Sequence, residues 1–133
     1  MNRPHDPAST GEPPRVGTSA EIIEKPWGRE LIFAETELYL GKVIEINGGS
    51  RLSLQYHPRK DETVYVTKGT VETELGQLGE PTRTIVLRAG DCLRLRPDTV
   101  HRFAAVGGDA QMIEVSTPYP DDTVRLADDF GRS

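Results

Sequence analysis

The sequence predicts an all-β fold, a sandwich or barrel built from short strands. Alternating apolar and polar residues recur in short runs, and each run is closed by a turn rich in Gly, Pro or Asn. No stretch carries the apolar period of a convincing amphipathic helix. Composition agrees: 35% hydrophobic residues, with 13 Gly and 10 Pro in 133 residues, suit a turn-rich β domain with a polar extension. That length is enough for one domain with a real core, and no internal repeat or linker marks a second.

Residues 1–20 hold Pro4, Pro7, Pro13 and Pro14 among small polar residues, without apolar periodicity. They read as a disordered leader, with His5 solvated and idle, ahead of a domain over 21–133. Ile22–Ile23 and Trp27–Phe33 are strand material broken by Pro26. Tyr39–Ile46 is the next strand, closed by the turn Asn47-Gly48-Gly49. Strands Arg51–Tyr56 and Glu62–Thr67 flank the turn Pro58-Arg59-Lys60-Asp61. Thr70–Leu75, Thr82–Arg88, Cys92–Leu95, Val100–Val106 and Ala110–Ser116 complete the set, with 76–81 as a surface loop. From Pro118 onward the chain reads as a short polar tail.

A net charge of -5 without a basic block argues against nucleic acid as a partner. The single cysteine, Cys92, excludes an intramolecular disulfide framework, and it reads as a small buried hydrophobe. No apolar run is long enough to span a membrane and no signal peptide is evident, so a cytoplasmic protein is expected. Trp27 reads as a core or edge anchor, and Tyr56 and Tyr65 as packing on the outer faces of their strands.

Chemistry concentrates between Gly49 and Gly69. Gln55 and His57, two apart on a strand, point to one face, and Glu62 opens the strand that folds back beside them. A carboxamide oxygen, an imidazole and a carboxylate then converge, a divalent-metal site short of one ligand. The spacing Gly49, Gln55-x-His57, Glu62, Gly69 resembles the first motif of the cupin superfamily. The run Gly90-Asp-Cys-Leu-Arg-Leu-Arg-Pro-Asp-Thr-Val-His101 resembles the second, with Arg96 for the usual proline and Asp98 for the usual glycine. Asp enters left-handed backbone conformations more readily than most residues, so Asp98 fits that place. The resemblance implies a double-stranded β-helix, the jelly-roll barrel of cupins, with His101 as the last metal ligand. The cofactor is then a divalent ion held by Gln55, His57, Glu62 and His101, zinc first, then manganese, iron, cobalt or nickel, with an open position for water or substrate.

A narrower resemblance is to the cupin domain of type II mannose-6-phosphate isomerases. Leu52-Ser53-Leu54-Gln55-x-His57, Lys60, Glu62 and Val66-x-x-Gly69 carry it, with Lys25-Pro26-Trp27-Gly28, Thr99-Val100-His101-Arg102, Asp121-Asp122-x-Val-Arg125 and Asp129-Phe130-Gly131-Arg132 at the flanks. The sequence departs from that family at His57-Pro58-Arg59-Lys60-Asp61-Glu62-Thr63-Val64, where two neighbouring histidines and a Trp are missing. The resemblance implies metal-assisted proton transfer between carbons 1 and 2 of a sugar phosphate. Lys60, Arg59 and Arg102 are then candidates for phosphate or transition-state charge, and Glu114 for the acid/base. Strand parity sets Arg102 opposite His101, which also admits an outward structural role. Arg94 and Arg96 share a face with Cys92, whose direction the sequence leaves open. Two other readings stand beside the isomerase: another metal-dependent cupin enzyme, a dioxygenase or lyase, and a non-catalytic small-molecule-binding cupin. A homodimer paired through the edge around Trp27–Phe33 is expected.

Overall fold

A computed structural model describes residues 19–133, so nearly all of the leader over 1–20, His5 included, lies outside the described residues. Those residues form strands β1 (Glu21–Lys25), β2 (Gly28–Glu35), β3 (Leu40–Ile46), β4 (Leu54–Tyr56), β5 (Glu62–Lys68), β6 (Thr70–Gln77), β7 (Arg83–Arg88), β8 (Cys92–Leu95), β9 (Thr99–Ala105), β10 (Ala110–Ser116) and β11 (Val124–Ala127), with no helix among them. One six-stranded sheet runs β1-β2-β3-β10-β5-β8 and a five-stranded sheet runs β11-β4-β9-β6-β7. From β3 to β6 the chain changes sheet at each step, and β10 returns between β3 and β5 as an antiparallel partner of both. This is the sandwich that the strand pattern predicts, in the jelly-roll form that the motif resemblance implies.

Backbone freedom matters at two turns. Gly69 joins β5 to β6 at φ 79°, and a Cβ there would come within 2.5 Å of the Asp109 carbonyl oxygen. Asp98, in the turn before β9, has φ 67° and donates its N–H to the His57 carbonyl at 2.8 Å. The left-handed position expected of this aspartate is therefore realised.

Inward side chains change character toward one end of four strands. On β3, Ile46 and Ile44 give way to Lys42; on β5, Val66 and Val64 give way to Glu62; on β9, Ala105 and Phe103 give way to His101; on β10, Ala110 and Met112 give way to Glu114. The aliphatic half joins Trp27, Leu52, Val71, Leu75 and Leu87 in one core. Full burial of each large apolar side chain there stabilises the fold by about 1.5–3 kcal/mol. The ionisable half lines a cavity.

Some expectations need correction. Cys92 is exposed, because Leu93 and Leu95 take the inward positions of β8. Arg94 therefore points outward as well, gripping Asp61 at 2.7 and 3.1 Å. Strand β4 is shorter than Arg51–Tyr56: Arg51 makes an isolated bridge to Ala104, and the Leu52 carbonyl accepts from Arg102 Nε at 3.0 Å. The loop expected at 76–81 yields Gly76 and Gln77 to β6, where they pair with Val100 and Thr99. The tail holds a strand, β11, paired with β4. Trp27 is 2% exposed, a core anchor as expected, while Tyr65 lies on the outer surface. No helix among the described residues is long and apolar enough to cross a membrane.

Candidate metal centre

Register brings the expected ligands together. Gln55 of β4 lies directly opposite His101 of β9, and Glu62 opens β5 in the facing sheet. His57 follows β4. One ligand atom each from His57, Glu62 and His101 lies within 4.8 Å of the others, and all three residues are buried. His101 Nε2 stands 3.4 Å from Glu62 Oε1, and His57 Nε2 stands 3.7 Å from Glu62 Oε2.

Backbone carbonyls set the tautomers. His57 Nδ1 lies 3.0 Å from the Asp122 carbonyl and His101 Nδ1 lies 3.0 Å from the Thr99 carbonyl, so each ring carries its proton on Nδ1. Both Nε2 lone pairs are then turned toward the Glu62 carboxylate, the orientation that outer hydrogen bonds impose on metal-binding histidines. His101 Nε2 is buried with no hydrogen-bond partner, whereas Glu62 Oε2 has Lys60 Nζ at 3.0 Å and His57 Nε2 has the Gln55 amide nitrogen at 3.3 Å. An unpartnered imidazole lone pair 3.4 Å from a carboxylate oxygen suits a cation between them, so these residues fit a divalent ion. Burial holds His57 at about 4, with Lys60 and His101 adding to the depression against Glu62, so the ring is neutral at pH 7. Burial alone would raise Glu62; the positive charge of Lys60 opposes it, and the carboxyl is held far below the ordinary range.

Gln55 is present but turned. Its Oε1 accepts from Ser53 Oγ at 2.5 Å, while its Nε2 faces His57 Nε2 at 3.3 Å. Ligation through oxygen, as the sequence expects, requires a half turn of the carboxamide, which leaves Ser53 Oγ as the acceptor for Nε2.

Lys60 is drawn inside. Its Nζ is 3.0 Å from Glu62 Oε2 and 2.8 Å from Glu114 Oε2, with all three side chains at most 5% exposed. Burial opposes its charge, but Glu114 and Glu62 prevail and its pKa is raised. Glu114 shares the inward face of β10 with Met112 and Ser116, as parity predicts. Burial and the nearby Glu62 push its pKa up. Beyond it, Lys42 lies 4.0 Å from Glu114 and 3.0 Å from Glu30, continuing the charge chain. Asp122 clasps the turn from outside, its Oδ2 accepting from the Arg59 and Lys60 N–H groups at 2.6 and 3.0 Å.

Arg102 does not join this group. It is buried on the opposite side of β9, where its guanidinium donates to the Leu52 carbonyl at 3.0 Å and the Ala127 carbonyl at 3.1 Å. That position corrects its candidacy for substrate charge: both bonds go to main chain, and it ties β11 to the β9 sheet. Arg59 is exposed, with its guanidinium over the Tyr119 ring.

The centre opens on a cavity of about 280 Å³, whose walls include His57, Lys60, Glu62, His101 and Glu114. Lys42, Glu30 and Arg125 also line it, and the sequence reading did not single them out for the site. Lys42 had a signal, alternating with Ile44 and Ile46 on one strand face. Arg125 was hidden in a segment read as tail.

Comparison with known proteins follows this geometry. The Cupin domain family model matches residues 42–116. A buried two-histidine, one-glutamate centre in a jelly roll is the architecture in hand, and the chain belongs to the cupin family. It is 36% identical to protein SchB of Streptomyces halstedii over 72 residues, covering 54% of this chain and 48% of that protein. It is 39% identical to polyketide synthase CurC of Streptomyces cyaneus over 79 residues, covering 59% of this chain and 47% of that one. The matches thus span about half the length of these relatives. Among solved structures, KdgF from Halomonas sp. aligns with TM-score 0.64 and 27% identity, over 77% of this chain and 91% of that one. The oxalate decarboxylase of Bacillus subtilis, which has Mn(II) centres, aligns with TM-score 0.70 and 20% identity, over 80% of this chain and 30% of that one. The last likeness is one of fold.

Proposed function

We propose that this chain is a metal-dependent cupin enzyme that moves a proton between neighbouring carbons of a small, oxygen-rich, enolisable substrate. One observation carries the reading: Lys60 bridges Glu62 and Glu114, so a buried acid–base pair stands against the ligand set. His57, Glu62 and His101 would hold a divalent ion, which would supply a Lewis acid for carbonyl and hydroxyl oxygens. Glu114 lines the cavity with a raised pKa, which suits a carboxyl group that takes a proton from one carbon and returns it to the next. Lys60 keeps the charge beside Glu114 balanced as that proton moves. Phe103 and Ile44 give the cavity an apolar stretch of wall.

The finer reading is an aldose–ketose isomerase for a sugar phosphate of the mannose 6-phosphate kind. It draws support from the motif resemblance between Lys25 and Arg132 and from a cavity sized for a small ligand. A second reading draws on the 39% identity to a protein named polyketide synthase. A polyketide is also rich in enolisable carbonyls, and the same proton transfer serves it. The segment around Trp27–Phe33 is not an edge, since β2 pairs with both β1 and β3, so we assign the homodimer to the edge strand β1, where Ile22 is exposed; light scattering at the monomer mass refutes that pairing.

The deciding experiment is metal analysis of the purified protein coupled to a mannose 6-phosphate to fructose 6-phosphate assay. Turnover that needs the metal and fails in Glu114→Gln supports the isomerase. Full occupancy without turnover defeats it, and proton–deuterium exchange into a β-dicarbonyl compound by the same protein then favours the second reading.

A further inference from the structure

Of the three residues expected to meet a substrate's negative charge, Lys60 is engaged by two carboxylates, Arg102 by two main-chain carbonyls, and Arg59 lies exposed over the Tyr119 ring. The cavity contains another cation. Arg125 of β11 pairs with Gln55 of β4, and Gln55 pairs in turn with His101 of β9. These three residues form one row across the sheet. Neighbouring strands lie about 4.8 Å apart, so the Arg125 backbone stands about 10 Å from that of His101 along the row. Arg125 lines the cavity, donates Nη1 to the Ser133 carbonyl at 2.9 Å, and keeps Nε buried without a hydrogen-bond partner. Among the described residues no Asp or Glu side chain forms an ion pair with it, whereas Arg132, also on the cavity wall, is held by Asp128 at 2.9 and 3.0 Å. Lys25 lines the same cavity, and Asp121 is the exposed acid at its mouth.

A buried guanidinium N–H with no acceptor is costly unless a ligand supplies one. The planar fork of arginine matches a carboxylate or phosphate better than a neutral hydroxyl. We propose that Arg125, assisted by Lys25, anchors an oxyanion on the substrate, at the end remote from the carbons that face the metal ligands. The inference rests on the functional reading above and extends it: the substrate carries an anionic terminus, separated by a short chain from the oxygens that meet the metal. Recognition of this kind orients the molecule as well as binding it, because the row Arg125–Gln55–His101 fixes both ends along one line.

The test uses nitrogen-15 NMR and calorimetry on the whole chain, metal-free and zinc-loaded, with inorganic phosphate and malonate as probes. The Arg125 Nε–H signal is expected to shift on addition of either anion, in the metal-free protein as well as the loaded one. Arg125→Gln is expected to weaken binding about 10- to 100-fold with zinc stoichiometry unchanged, and Arg125→Lys to weaken it less. Tighter binding of phosphate than of malonate assigns the terminus to phosphate, and the reverse assigns it to carboxylate. An Arg125 signal that stays still at saturating concentrations of both anions overturns the proposal, and so does unchanged affinity in Arg125→Gln. Anion binding at Arg125 in a protein without turnover defeats the isomerase and leaves the anchor standing; turnover with Arg125 silent does the opposite.

Discussion

Replacing Lys60 with methionine keeps most of the side-chain volume and deletes the charge. The lysine is 4% exposed, with Glu62 and Glu114 oxygens at 3.0 and 2.8 Å. At an effective permittivity of about 20, one such contact is worth about 5–6 kcal/mol of Coulomb energy. Proton uptake by Glu114 recovers part of it. Breaking a buried pair by removing one partner costs about 3–5 kcal/mol, a large share of the 5–15 kcal/mol that holds a typical domain together. Urea denaturation followed by Trp27 fluorescence, in metal-free protein at pH 7, reads this cost directly. Two dependences check the cause. The folded-state pKa of Glu114 is raised, so the stability its protonation contributes is present at low pH and lost as pH rises through that value. The variant should therefore regain stability as pH falls below 7. Saturating zinc should cut the cost by about half, since the ion neutralises Glu62 in place of the lysine. A cost below about 0.5 kcal/mol, or one indifferent to zinc, refutes the view that Lys60 is the counter-ion of both carboxylates.

His57 is expected to titrate near 4 in the folded metal-free protein, against 6.5 ordinarily. Its neutral form is favoured by folding, so this contribution, about 3 kcal/mol at most, is complete above 6.5 and lost as pH falls to 4; an NMR midpoint near 6.5 contradicts it. His101→Ala should lower zinc affinity by more than the 10- to 100-fold that is roughly typical of outer-shell changes, as read by calorimetry. Arg102→Ala should cost about 2–3 kcal/mol of stability in urea while leaving zinc affinity unchanged, because its two bonds are to main chain. Gly69→Ala, at φ 79° and with Asp109 in the way, should cost about 1–3 kcal/mol by thermal or urea denaturation.

Much of this was legible before any coordinates. Alternation located β5, β8 and β10 nearly residue for residue, because each buries one face and exposes the other. Motif spacing brought His57, Glu62 and His101 together across the two sheets. Local signals failed where a distant partner decides the outcome. Strand β11 is only Val124–Ala127, and it forms because β4 offers an edge. The inward turn of Lys60 depends on two carboxylates on β5 and β10, and nothing in a charged turn announces them. Cys92 reads as apolar by type, but the pleat gave the inside to Leu93 and Leu95. The direction of Gln55's carboxamide was beyond pattern altogether, since it follows from Ser53.

Asp122 touches both halves of the chemistry without belonging to either. Its carbonyl keeps the proton on the far nitrogen of His57, and its carboxylate steadies the main chain that delivers Lys60. Shortening the chain ahead of that aspartate would remove no ligand, yet it would release an imidazole to rotate and a lysine to swing out. Metal retention would in this sense be governed from more than sixty residues downstream of His57 and Lys60, and engineering of the closing segment would tune the centre as surely as changes to its ligands.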